Sequence, residues 1–124
     1  MSRQEIFPKP KALIVEADPD IIEVFRGMVG DAADVFSTYD FIKAKQAVLA
    51  NHNIEVAVVD ARVSVPQEAC RFIREIKALG RRIFIIGTSV YATDFPEMVK
   101  SGCDLTLVEK FRAGDRTVHA LMAL

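Results

Sequence analysis

The sequence contains no tryptophan, two cysteines and almost no net charge. Two cysteines cannot form the disulfide framework of a small secreted domain. Cys70 and Cys103 both lie in apolar or helical stretches, so both read as buried free thiols. Sixteen Lys and Arg against seventeen Asp and Glu leave a net charge of −1, which offers no basic surface to nucleic acid or to an anionic membrane. No apolar run approaches the roughly 18 residues that cross a bilayer, and the opening MSRQEIFPKPK is too polar for a secretory leader. No metal-ligand spacing links His52 and His119 to each other or to the cysteines. The expectation is a cytoplasmic protein without membrane insertion or direct nucleic-acid binding. Its 124 residues suit one domain with a core of its own.

What is present is alternation. Residues 1–10, with Pro8 and Pro10, read as an extended N-terminal arm, and residues 11–124 as the domain. KALIV (11–15) is a short apolar run. ADPDIIEVFRGMVG (17–30) carries Asp18 as a cap, Pro19 in the first turn, a stripe of Ile21, Ile22, Phe25, Met28 and Val29, and Gly30 as a stop. ADVFS (33–37) is a weaker strand, and YDFIKAKQAVLANHN (39–53) a helix with Phe41, Ala44 and Val48 on one face. EVAVVD (55–60) is apolar without interruption, as a strand buried on both faces must be. SVPQEACRFIREIKALG (64–80) opens with Ser64 and Gln67 in capping-box spacing and closes on Gly80. RRIFIIGTS (81–89) is a fourth strand and DFPEMVKSG (94–102) a short helix with Asp94 and Glu97 as cap partners. DLTLVEKF (104–111) is a fifth strand and GDRTVHALMAL (114–124) the last helix. Five strands alternating with five helices call for a doubly wound α/β fold, a parallel sheet covered on both faces.

In such sheets the chemistry collects beyond the carboxyl ends of the strands. The polar residues there are Glu16 and Asp18 after the first strand, Ser37 and Thr38 after the second and Asp60 after the third. Thr88 and Ser89 follow the fourth, Glu109 and Lys110 the fifth. Acids, a hydroxyl and a cation on one edge suit a phosphoryl group and a metal rather than acyl transfer. The segments LIVEADPD (13–20), VAVVD (56–60), FIIGTS (84–89) and SGCDLTLVEKF (101–111), in this order and spacing, carry a further identification. The chain resembles a response-regulator receiver domain, the phosphoacceptor module of two-component signalling, over essentially all of residues 11–124.

The resemblance implies a flavodoxin-like (βα)5 fold with sheet order 2-1-3-4-5. It implies a regulatory module, not an enzyme beyond its own phosphorylation and dephosphorylation, and a histidine kinase or other signalling protein as partner. Asp60 matches the aspartate that accepts phosphate. Glu16 matches the first of the acidic pair that holds Mg²⁺, and the backbone carbonyl of Arg62 the main-chain metal ligand. Thr88 matches the switching hydroxyl, and Thr106 stands where its aromatic partner is usual. Partners of the family dock on the face of the fourth helix, fifth strand and fifth helix, where Tyr91 and Met98 are the contact candidates.

The chain departs from the family pattern in ways that bear on chemistry. Ala17 occupies the place of the second acid, and Asp18 comes one residue late and serves as a cap. A gapless reading from Gly102 to Phe111 puts Glu109 at the usual lysine and Lys110 at the usual proline, whereas a one-residue bulge would bring Lys110 to the lysine position. Pro66 is six residues past Asp60 rather than four, and the usual glycine of that loop is missing. Three carboxylates, few metal ligands and a displaced lysine leave a site short of positive charge, so Mg²⁺ is expected to bind weakly or not at all. Arg62, in the loop after Asp60, is expected to stand in as the cation by pairing with Glu109 or Asp60. The resulting expectation is an atypical receiver that acts through protein–protein interaction. Its rivals are a working phosphoacceptor with Asp60, Glu16 and Mg²⁺, and a small flavodoxin-like ligand-binding protein or enzyme. Against the last stands EADPD, acidic where a phosphate loop would be glycine-rich. Whether the domain stands alone or is part of a longer protein, and whether it forms a homodimer, is left open by the sequence.

Overall fold

The computed structural model describes residues 9–123. The extended arm expected over residues 1–10 therefore lies outside the described residues except at Lys9 and Pro10, and so does Leu124. Lys9 and Pro10 are already pinned to the domain. Asn53 Nδ2 donates to the Lys9 carbonyl at 2.8 Å, and the Asp34 N–H donates to the Pro10 carbonyl at 2.9 Å.

Among these residues five strands and five α-helices alternate. They are β1 Lys11–Val15, α1 Pro19–Val29, β2 Asp34–Thr38, α2 Phe41–Ala50, β3 Ile54–Asp60, α3 Pro66–Lys77, β4 Phe84–Thr88, α4 Phe95–Ser101, β5 Leu105–Leu107 and α5 Ala113–Ala123. All neighbouring strands pair in parallel, in the order β2-β1-β3-β4-β5. The fold expected from the alternation is therefore the fold observed.

The continuous apolar strands follow from burial on two faces. Alternate residues of a strand point to opposite sides. Leu13 and Val15 of β1, with Ala57 and Val59 of β3, pack under α2, α3 and α4. Ala12 and Ile14, with Val56 and Val58, pack under α1 and α5. Each fully buried Val, Leu or Ile contributes about 1.5–3 kcal/mol. Two complete layers of them let the carboxyl ends of the strands carry buried polar groups.

Local signals set most element ends. Asp18 and Asp40 cap α1 and α2 by accepting from the N–H groups of Asp20 and Ile42 at 2.9 and 2.8 Å. Gly80, at φ 71°, and Gly102, at φ 122°, follow α3 and α4 in backbone conformations that side chains disfavour. Three details differ from expectation. Ser64 does not cap α3: the helix starts at Pro66, with Val65 as an N-cap that makes no side-chain bond. Proline at the first helical position fixes that start and leaves Ser64 one residue too early, so its hydroxyl donates to Glu68 at 2.7 Å instead. Asp94 and Glu97 do not cap α4, since Asp94 is itself helical and its carboxylate is engaged elsewhere. Met28 is exposed, while Ile21, Phe25 and Val29 face the core.

The contact between α1 and α5 is closed at one point by a missing side chain. A Cβ at Gly114 would lie 2.7 Å from Met28 Cβ and 3.2 Å from the Phe25 carbonyl oxygen. Neither atom can rotate away, so α1 would have to shift. Overpacking of this kind costs about 1–3 kcal/mol, more than alanine returns in helix propensity. Gly114→Ala is therefore expected to lower stability by roughly 1 kcal/mol in urea unfolding with little change in slope.

Candidate functional site

Asp60 ends β3 in register with Thr88, the last residue of β4. It is 3% exposed. Thr88 Oγ1 donates to Asp60 Oδ1 at 3.0 Å, and the Arg62 N–H donates to Oδ2 at 3.2 Å. Glu16 follows β1 and is equally buried, at 4%. Its Oε2 accepts from the N–H groups of Ala17 and Asp18 at 2.9 and 3.1 Å. Asp18, in contrast, turns its carboxylate to its own helix start and stays exposed.

Lys110 joins the two buried acids. Its Nζ lies 2.8 Å from Glu16 Oε1 and 3.0 Å from Asp60 Oδ1, and its side chain is 17% exposed. The gapless reading of the fifth strand is thus corrected. β5 ends early, at Leu107, and the chain enters a 3-10 turn over Lys110–Arg112. The extra residue before the turn carries Glu109 outward, where its carboxylate is 72% exposed and 4.0 Å from Arg112. A Glu109 carboxylate at the edge would have been a third negative charge beside two buried ones. Burial alone would lower the basicity of Lys110, but hydrogen bonds to Glu16 and Asp60 outweigh it and hold the ammonium above the ordinary lysine value.

The second correction concerns Arg62. Its guanidinium pairs neither with Glu109 nor with Asp60. It forms a two-pronged bond with Asp94, Nε to Oδ2 and Nη2 to Oδ1, both 2.9 Å. Ser89 Oγ donates to Asp94 Oδ2 at 2.6 Å and accepts from the Tyr91 N–H at 3.0 Å. The guanidinium carbon lies 4.8 Å from the centre of the Tyr91 ring, a cation–π contact. The hydrogen bond from Arg62, with help from Ser89, holds the Asp94 carboxyl below the usual carboxylate range despite burial. Asp94 is the site residue that sequence reasoning missed, because an acid just before a helix looks like a cap.

The remaining candidates separate. Tyr91 is half exposed beside the site. Met98 is not a surface residue: it is fully buried, against Gly87 and in the core under α2, α3 and α4. On the short helix α4 the sheet takes Met98 and solvent takes Val99. Thr106 pairs in register with Gly87, whereas Thr88 pairs with Leu107. Alternation therefore puts Thr106 and Thr88 on opposite faces of the sheet.

The donor set fits Mg²⁺ poorly. Ala17 supplies no oxygen, Asp18 is a cap, and both oxygens of Glu16 are occupied by N–H groups or the ammonium. Among the described residues no three His, Cys, Asp or Glu side chains come together as a metal site would require. The Lys110 ammonium stands between the two carboxylates that would otherwise share an ion.

Two outcomes follow. Lys110→Met leaves two like charges buried together, so stability should fall by about 3 kcal/mol at neutral pH. Urea unfolding of the native and variant chains at neutral pH checks it. The stabilisation from native Lys110 is complete below the unfolded lysine value of about 10.4 and fades as pH rises through its higher folded value. Asp94 gives the opposite limb: its contribution is present above the unfolded carboxylate value of about 3.9 and is lost as pH falls through the lower folded value. Asp94→Asn should flatten that acid limb of the stability curve.

Solved structures with the same fold carry a consistent description. A response regulator from Thermotoga maritima superposes with a TM-score of 0.77 at 15% identity, covering 92% of this chain and 98% of that one. HP1043, an orphan response regulator of H. pylori, gives 0.74 at 14% identity, with 92% and 94% covered. The phosphorylated cyanobacterial phytochrome response regulator RcpA gives 0.68 at 15%, with 88% of each chain covered. No protein-family model and no curated protein sequence matches the chain. The sheet order, the two helical layers and these superpositions agree: the chain has the fold of a response-regulator receiver domain.

Proposed function

We propose that the chain is a receiver module of two-component type whose output is protein–protein interaction, with phosphorylation at Asp60 weakened or lost. One observation carries the reading. The place between Glu16 and Asp60 is held by the Lys110 ammonium, and the second acid of a metal pair is Ala17. Phosphoryl transfer depends mainly on positioning and on neutralising charge. A phosphoryl group adds roughly 1.5–2 negative charges. Here Lys110 already answers two carboxylates, so the incoming charge has little left to balance it. The rim supports a protein partner: Val90, Tyr91, Val108 and Phe111 are exposed beside the acidic edge, more apolar surface than a solvated edge needs. A histidine kinase or another signalling protein is the class of partner this reading names.

A working phosphoacceptor is the second reading, and a specific observation favours it. Asp60 is contacted by a threonine hydroxyl and by a lysine ammonium, two groups suited to hold phosphoryl oxygens. Incubation of the chain with acetyl phosphate, with and without Mg²⁺, followed by intact-mass measurement, separates the two. The first reading predicts at most a trace of phosphoryl adduct and no dependence on Mg²⁺. A stoichiometric adduct that needs Mg²⁺ and vanishes in Asp60→Asn would establish the second and overturn the first.

A further inference from the structure

The strand β2 closes one side of the sheet, and no strand pairs with its outer side among the described residues. The Asp34 N–H donates to the Pro10 carbonyl at 2.9 Å, and the Thr38 carbonyl accepts from the Glu16 N–H at 3.0 Å. Both residues therefore turn their backbone groups toward β1. Successive residues of a strand alternate, so Val35 and Ser37 turn theirs outward, to the open edge. An open edge is a template for another strand. The opposite edge, β5, is only three residues long and offers little of one.

The open edge of β2 carries a cover. Arg26 reaches it from α1: Nη1 donates to the outward Val35 carbonyl at 3.1 Å, and Nη2 donates to Ser37 Oγ at 3.0 Å. What the guanidinium covers is self-complementary. Turned antiparallel about Phe36, DVFST sets Val35 against Ser37 of a second copy and Ser37 against its Val35. Each of these pairs exchanges two backbone hydrogen bonds. Phe36, 42% exposed, falls opposite its own counterpart, a favourable cross-strand pair. Asp34 falls opposite Thr38, so no like charges meet.

We infer that Arg26 is a guard on the open edge of β2, and that the partner it excludes is β2 of a second copy of this chain. The guanidinium takes the Val35 carbonyl, an acceptor that such a pairing needs twice over, because both copies present the same surface. The planar fork of arginine holds the carbonyl and the neighbouring hydroxyl together. The inference is independent of how Asp60 is used.

Sedimentation velocity over a range of chain concentrations tests it, with amide exchange at Val35 and Ser37 as the local readout and Leu13 as the reference for global opening. The native chain should show no slowing of exchange at Val35 and Ser37 as concentration rises. Arg26→Ala should shift from one chain to two in mass, with exchange at these two amides slowing severalfold and Leu13 unchanged. Ser37→Ala, which removes one of the two bonds and leaves Arg26 in place, should shift the same way at higher concentration. Adding Phe36→Glu to Arg26→Ala opposes two like charges across the twofold and should restore the single chain. Single chains at every concentration in both Arg26→Ala and Ser37→Ala would overturn the guard. So would an association that Phe36→Glu does not reverse, or one that leaves Val35 and Ser37 exchange unchanged.

Discussion

One ammonium among three side chains organises the functional edge of this domain. Glu16 and Asp60 are buried at the ends of adjacent strands, where two negative charges without a partner would be strongly unfavourable. Lys110 reaches both at hydrogen-bond distance. The path of the chain after β5 follows from that need. The strand stops at Leu107, Glu109 turns out to solvent, and a tight turn delivers Lys110 inward. The same contact occupies the carboxylate oxygens of that edge: the acids are engaged by lysine and by backbone N–H groups.

Around this centre lies a second tier, joined to it by the bond from the Arg62 N–H to the Asp60 carboxylate. Arg62 follows Asp60 in the chain and pairs with Asp94, which lies beyond β4. Ser89 and Tyr91 complete the link between the two loops. The edge thus has two cations with separate duties. Lys110 balances buried charge, and Arg62 ties the loop after β3 to the loop after β4. A site built this way holds its geometry from its own residues.

The fold was legible because its signals are local. EVAVVD and FIIGT are apolar throughout, which only a strand covered on both faces allows, and the helices between them begin and end on ordinary caps and glycines. Asp60, Glu16 and Thr88 were legible for the same reason, since each sits just past an apolar run. Which of Glu109 and Lys110 reaches the site was not, because that depends on where a three-residue strand stops and a 3-10 turn begins. The partner of Arg62 was hidden by separation: Asp94 is 32 residues away and resembles a cap. Met98 was misplaced because a seven-residue helix carries too short a pattern to say which apolar residue faces the sheet.

The central claim is that Lys110 takes the place of a metal ion between Glu16 and Asp60. A Mg²⁺ titration of the native chain, followed by the backbone amide signals of Ala17, Ala61 and Arg62, tests it most directly. The account predicts no saturable change at these three amides as Mg²⁺ is raised through the millimolar range. A saturable change centred on them, lost in Asp60→Asn, would contradict it.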